Sequence, residues 1–123
     1  MIHRFIIAIG TNFRQIDNIE KVKFILNKSF SNVVFTAAIW TEPIGKNLSK
    51  NKFLNMLAKC ESEQTKVAIE NTLKGIERLC GNRSELRKEG VIVMDIDLLL
   101  FDQWRLHETD WQRDYIKELI KQI

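Results

Sequence analysis

Asp95 and Asp97 are the residues of this 123-residue chain whose type and spacing most readily do chemistry. They stand two apart in Met94-Asp95-Ile96-Asp97-Leu98-Leu99-Leu100, an otherwise apolar run. On a β-strand, residues two apart share a face and lie roughly 6.6 Å from each other at ~3.3 Å rise per residue. Two carboxylates on one face repel and lose solvation unless a cation compensates. An Arg or Lys partner would make them a salt-bridged pair on an open sheet face. A divalent metal would make them a reaction centre: Mg²⁺ takes one or two protein carboxylates and fills its remaining positions with water and phosphate, and paired ions about 3.5 to 4 Å apart clamp a phosphoryl group. No Ser-His-Asp or Cys-His arrangement accompanies them.

The pair needs a sheet to hold it. Residues 5–9 are apolar at every position and end at Gly10, which predicts a central strand buried on both faces. Ile19, Val22 and Leu26, reinforced by Ile16 and Ile25, predict a helix over 14–28. The β-branched and aromatic run 33–41 predicts one strand, stopped by Glu42-Pro43-Ile44-Gly45, and a polar loop follows over 46–52. Residues 53–61 alternate, with Leu54, Met56, Ala58 and Cys60 toward the core and Phe53, Asn55, Leu57 and Lys59 on the other side. Ile69, Leu73, Ile76 and Cys80 predict a second helix, capped by Ser62 and ended by Gly81. A loop over 82–90, a strand over 91–101 and a final helix over 110–123 capped by Asp110 complete the chain. This order predicts an α+β fold, a ferredoxin-like βαββαβ sandwich with an additional short C-terminal helix. Both long helices then cover one sheet face, and parity places Asn55, Asp95 and Asp97 on the other, partly open face.

With 45% hydrophobic residues, 28% charged residues, five glycines and one proline, residues 1–123 read as one domain able to bury a core without disulfides or a structural metal. Cys60 and Cys80 lack metal or redox spacing and read as reduced core residues. The apolar run at the N-terminus is shorter than a signal-peptide core, and no stretch approaches the ~20 apolar residues of a membrane span, so a cytoplasmic protein without a membrane partner is expected. Nineteen Lys and Arg against 16 Asp and Glu give a net charge of +3, which suits an anionic small molecule and lacks the dense basic stripe of a nucleic-acid binder. His3 has no carboxylate near it in sequence and is expected to be exposed. Trp40, Trp104 and Trp111 could shape a ligand pocket, but buried aromatic packing is the more common role for such residues.

Five segments share an order and spacing: Ile7-Ala8-Ile9-Gly10-Thr11-Asn12, Thr41-Glu42-Pro43-Ile44-Gly45, Phe53-Leu54-Asn55, Ile76-Glu77 ahead of Gly81, and the run from Met94 to Leu100. Up to Phe101 the chain thereby resembles the 6-hydroxymethyl-7,8-dihydropterin pyrophosphokinase family of folate biosynthesis. The resemblance implies small-molecule substrates, with transfer of a pyrophosphoryl group from ATP to the hydroxymethyl oxygen of the dihydropterin and release of AMP. It implies two Mg²⁺ ions held by Asp95 and Asp97, and places Arg83 and Arg113 with them in the catalytic group. Thr41, Pro43, Ile44, Gly45, Phe53, Asn55 and Tyr115 fall at pterin-binding positions, where an Asn supplies the donor and acceptor that the pterin edge demands. Glu77, Arg83, Arg87 and Lys88 fall on the nucleotide side. Without the resemblance, Asn55 reads as a solvent-facing strand residue, Phe53 and Tyr115 as core, Glu77 as an exposed helix carboxylate and the cations as solvated surface.

The chain departs from the family pattern in places. Ile92 stands where an Arg is common, Glu89-Gly90-Val91 replaces Trp-Gly-Pro, and Asn82 and Ser84 replace cations. At the C-terminus His107, Arg113 and Tyr115 reproduce the family spacing without its Pro. In the alternative alignment, which is favoured, Leu106-His107-Glu108 is a turn and only residues 112–115 match. Two functions follow: an active pyrophosphokinase, or a non-catalytic relative that binds a pterin or a partner through the same face. An RNA-binding module is disfavoured by two carboxylates on that face.

Overall fold

The computed structural model describes residues 1–43 and 51–123, so the expectations for Ile44 and Gly45 lie outside the described residues. Strands β1 (His3–Thr11), β2 (Ser31–Phe35), β3 (Ile39–Thr41), β4 (Phe53–Ser62), β5 (Asp95–Phe101) and β6 (Trp104–Arg105) form one sheet. Its order is β2-β4-β1-β5-β6, with β3 also on β4, and every pairing is antiparallel. Four helices, α1 (Gln15–Ser29), α2 (Lys66–Leu79), α3 (Ser84–Lys88) and α4 (Asp114–Leu119), accompany the sheet among the described residues, giving a mixed α+β architecture. None is long and apolar enough to cross a membrane.

β1 is apolar over residues 5–9 because this stretch lies between two strands and between two cores. Phe5, Ile7 and Ile9 face α1 and α2, where they meet Ile19, Val22, Leu26, Ile69, Leu73 and Ile76. Cys60 and Cys80 are free thiols buried in this core, and burial pushes Cys60 up to about 12, out of reach of thiolate chemistry. Ile16, expected to reinforce the helix face, is instead exposed at the first turn of α1.

The opposite face departs further from expectation. Ile6, Leu57 and Leu99 are covered by Trp111, Ile116 and Leu119 from the C-terminal segment, a second core that leaves only part of the face open. The expected helix over 110–123 is α4 between two single 3₁₀ turns, Asp110–Gln112 and Ile120–Gln122, and its N-cap is Arg113, without a side-chain cap bond, rather than Asp110. The period of two along β5 breaks at a bulge: Ile7 pairs with Leu98 but Ile6 with Leu100, so Leu99 and Leu100 both join the second core.

Other elements also depart from the expected bounds. The strand expected over 33–41 is interrupted at Thr36, whose Oγ1 accepts from Leu57 N at 2.9 Å and donates to Ala37 O at 2.8 Å, replacing a ladder bond and bending the chain. β4 runs on through Ser62, and the cap of α2 is Thr65, whose Oγ1 accepts from Ala68 N at 3.2 Å. The loop expected over 82–90 contains α3, and β5 begins at Asp95 rather than at residue 91. His3 is half-buried and its Nδ1 lies 2.7 Å from Asp102 Oδ2, a partner 99 residues away that no local pattern reveals.

Candidate active site

Register builds the site. In β1 Gly10 pairs with Asn55 of β4 on one side and with Asp95 of β5 on the other, and Ile39 of β3 extends the row by pairing with Asn55. Two residues along, Ala8 pairs with Asp97. With adjacent strands about 4.8 Å apart, Asn55 and Asp95 stand roughly 9.6 Å from each other across a glycine. Gly10 is the floor between them. A Cβ there would lie 2.8 Å from Asn55 Oδ1 and 3.7 Å from Phe53 Cδ1, so the lack of a side chain is what lets the Asn55 amide lie flat over β1.

The cleft above this row has a volume of about 170 Å³ and joins Thr41, Phe53 and Asn55 to Asp95, Asp97, Arg113 and Tyr115. Asn55 is only 5% exposed, and its Nδ2 donates to Thr41 Oγ1 at 2.6 Å, which fixes the amide plane and assigns one of its two N–H donors. Tyr115 is half-buried, and burial raises its phenol. Pro43 is half-buried just beyond β3.

At the other end the carboxylates are crowded. Burial, and then the neighbouring Asp95, push Asp97 up to about 6, with Asp110 and Glu77 raising it further and His107 pulling it down. A positive charge brought to this pair is favoured. Among the described residues no group of three or more His, Cys, Asp or Glu side chains forms a metal cage. A half-buried carboxylate pair in a cleft is the donor set of a hydrated Mg²⁺ that shares its shell with phosphate, so the residues present fit that ion. Arg87 Nη2 donates to Asp95 Oδ1 at 3.1 Å. Arg83 and Lys88 are exposed on or beside α3.

Glu77 is not the exposed helix carboxylate of the simple reading. It is 3% exposed, its Oε2 accepts from Ile96 N at 2.7 Å between the two aspartates, and Lys74 Nζ lies 3.4 Å from Oε1. Burial raises its pKa. The carboxylate thus ties α2 to β5 from behind the site. Asn12 does similar work at the strand's approach: its Oδ1 accepts from Ile92 N at 2.7 Å and its Nδ2 donates to Gly90 O at 2.9 Å.

Gly10 and Asp110 are among the lining residues that escape sequence reasoning. Gly10 reads there as a strand terminator, and only the register shows it between Asn55 and Asp95. Asp110 reads as a helix cap, yet it lines the cleft with its Oδ1 3.1 Å from Arg113 Nε; its three-residue spacing from Arg113 was the available signal. Of the tryptophans, Trp111 is buried in the second core with Nε1 donating to Leu106 O at 3.0 Å, while Trp40 and Trp104 are exposed.

No curated protein matches the chain significantly. The family described as 7,8-dihydro-6-hydroxymethylpterin-pyrophosphokinase (HPPK) matches residues 6–123, nearly the whole sequence, including every strand that lines the cleft. Its match takes in the C-terminal segment with Asp110, Arg113 and Tyr115, beyond the motifs that end at Phe101. The chain belongs to the HPPK family, the pyrophosphokinases of folate biosynthesis.

Proposed function

We propose that this chain transfers the pyrophosphoryl group of ATP to the hydroxymethyl oxygen of 6-hydroxymethyl-7,8-dihydropterin and releases AMP. The observation that carries this reading is the single row Asn55–Gly10–Asp95, which sets an amide reader and a carboxylate pair on opposite sides of one cleft. Asn55 and Thr41 read the edge of the pterin, Phe53 and Tyr115 bound its ring, and Pro43, Ile44 and Gly45 belong to the same substrate-binding set. Asp95 and Asp97 hold two Mg²⁺, which neutralise the triphosphate and the charge that develops on transfer. Arg113, oriented by Asp110, and the cations Arg83, Arg87 and Lys88 bind the phosphates. Glu77 serves the nucleotide end from behind, by fixing Ile96 between the aspartates.

The reaction forms a bond from the hydroxymethyl oxygen to the β-phosphorus and breaks the bond from that phosphorus to the oxygen bridging it to the α-phosphorus; the hydroxyl proton passes to solvent and AMP leaves. Positioning and charge neutralisation carry most of such a transfer, so no strong protein base is required. The fold reading that accompanies this is ferredoxin-like: with β2 and β3 counted as one interrupted strand, the four long strands run 4-1-3-2, all antiparallel. ATP as substrate and two free buried thiols accord with a cytoplasmic setting.

The test is AMP formation from ATP and Mg²⁺ with and without the dihydropterin, beside Asp95→Ala and Asp97→Ala. We expect pterin-dependent AMP that falls by about 10³ or more in each variant. Folded protein that binds pterin and forms no AMP would establish the second reading, a non-catalytic relative, which Ile92 favours: an aliphatic side chain there offers no cation to the phosphates.

A further inference from the structure

Arg87 stands in the last turn of α3 with Nη2 3.1 Å from Asp95 Oδ1, and both side chains keep more than a third of their surface, 38% and 39%. The Asn82 carboxamide, with its oxygen turned toward α3, accepts from Arg87 Nε and Nη2 at 3.0 Å each. The guanidinium is therefore held on one side by an amide and on the other by a carboxylate of the candidate metal pair. An exposed pair of this kind is weak, and a divalent ion bound to the same carboxylate repels a guanidinium at hydrogen-bond distance. A cation expelled from Asp95 has its nearest new acceptors in whatever anion arrives with the metal, and a planar fork matches phosphate oxygens.

We propose that Arg87 is a displaceable counter-ion: it competes with the divalent cation for Asp95 in the empty site and, when the metal arrives with the nucleotide, transfers its guanidinium from Asp95 to the phosphate chain. This rests on the pyrophosphokinase reading above and adds to it an order of events. Arg87 weakens binding of the bare metal and strengthens binding of the metal–nucleotide complex, so the site favours metal that comes with its phosphates. Asn82 limits the swing, since it holds Nε while Nη2 changes partner.

The test measures binding rather than turnover. Mn²⁺ alone, followed by its electron paramagnetic resonance signal, and Mg²⁺ with α,β-methylene-ATP, whose scissile bridge is blocked, are titrated into the wild type, Arg87→Gln and Arg87→Lys. Arg87→Gln should bind Mn²⁺ about two- to fivefold more tightly and the nucleotide complex about tenfold more weakly. Arg87→Lys keeps the point charge and should restore nucleotide affinity to within a few-fold, which also serves if the Gln variant fails to fold. A structural salt bridge alone would leave both affinities unchanged, and that result, or a shift of both in the same direction, overturns the proposal while the wild type still binds nucleotide. A wild type that binds no Mg²⁺–nucleotide overturns the pyrophosphokinase reading and the proposal together.

Discussion

At the Asn55 end of the cleft the polar groups sit on paired strands; at the Arg87 end the cations stand on or beside a five-residue helix. Asn55 is buried and bonded to Thr41, both on strands held by β4 pairing, and the close approach to Gly10 leaves the amide one place to lie. Arg83, Arg87 and Lys88 are all exposed, and among the described residues the one ion pair they make joins Arg87 to a carboxylate of the site itself. The difference matches the ligands each end is proposed to take. A flat, neutral heterocycle is recognised by donor and acceptor positions, which tolerate little error and gain from rigidity. A polyphosphate is recognised by charge, which acts over longer distances and lets side chains rearrange as metal and anion enter.

The sharpest way to break this comparison is Gly10→Ala. The new methyl would meet Asn55 Oδ1 at 2.8 Å, and because β1 lies between two strands the amide must move rather than the backbone. We expect a folded protein whose dihydropterin affinity falls by about 10- to 100-fold, the loss of one or two well-placed hydrogen bonds, while Mg²⁺–nucleotide affinity changes less than about twofold. Isothermal titration with each ligand separately checks it. Equal losses for both ligands would mean that the two ends do not act separately.

Glu77→Gln probes the other end where it does rest on the sheet. Glu77 is ionisable, buried and raised above its ordinary value of 4.5 by burial, so the folded protein holds a proton that the unfolded chain releases. Between 4.5 and the raised value, stability therefore falls as pH rises. A Gln keeps an acceptor for Ile96 N and carries no charge; it gives up only the contact with a well-exposed Lys74. Thermal melts should show the variant more stable than wild type at pH 7, with the advantage shrinking toward pH 4.5. A destabilised variant at pH 7 would mean that the charge itself holds β5, and that the phosphate end is as tightly set as the pterin end.

Local pattern made parts of the molecule legible and left others dark for identifiable reasons. The period of two in β4 and of 3.6 in α2 placed Met56, Ala58, Ile69, Leu73 and Ile76 in the core, where the structure has them. Parity also placed Asn55, Asp95 and Asp97 on one face, and all three line the cleft. What failed needed long-range information. The second core depends on Trp111, Ile116 and Leu119 returning from the C-terminus onto Leu57 and Leu99, and the bulge in β5 that turns both Leu99 and Leu100 that way leaves no mark in an apolar run. His3–Asp102 and Glu77–Ile96 are single contacts between distant segments, invisible to any window. Thr36 interrupts an apparently continuous strand through a side-chain bond that composition does not encode.

The smallest effect is expected from Lys88→Ala, and for that reason it sharpens the comparison most. Lys88 is exposed in the last turn of α3, next to the Arg87 that reaches the carboxylates. If the phosphate end works through a shared field rather than fitted contacts, removing one exposed charge should weaken Mg²⁺–nucleotide binding less than about fivefold at physiological salt. The loss should grow as salt is lowered, since the screening length rises from about 8 Å to about 30 Å between 0.15 M and 0.01 M. A buried, directed hydrogen bond behaves oppositely: its loss is large and nearly independent of salt, as expected for Gly10→Ala on the pterin side. A salt series of nucleotide titrations with Lys88→Ala therefore reads the type of contact as well as its strength. A salt-independent loss beyond tenfold would show that α3 presents Lys88 in a fitted geometry, and the contrast between the two ends would no longer hold.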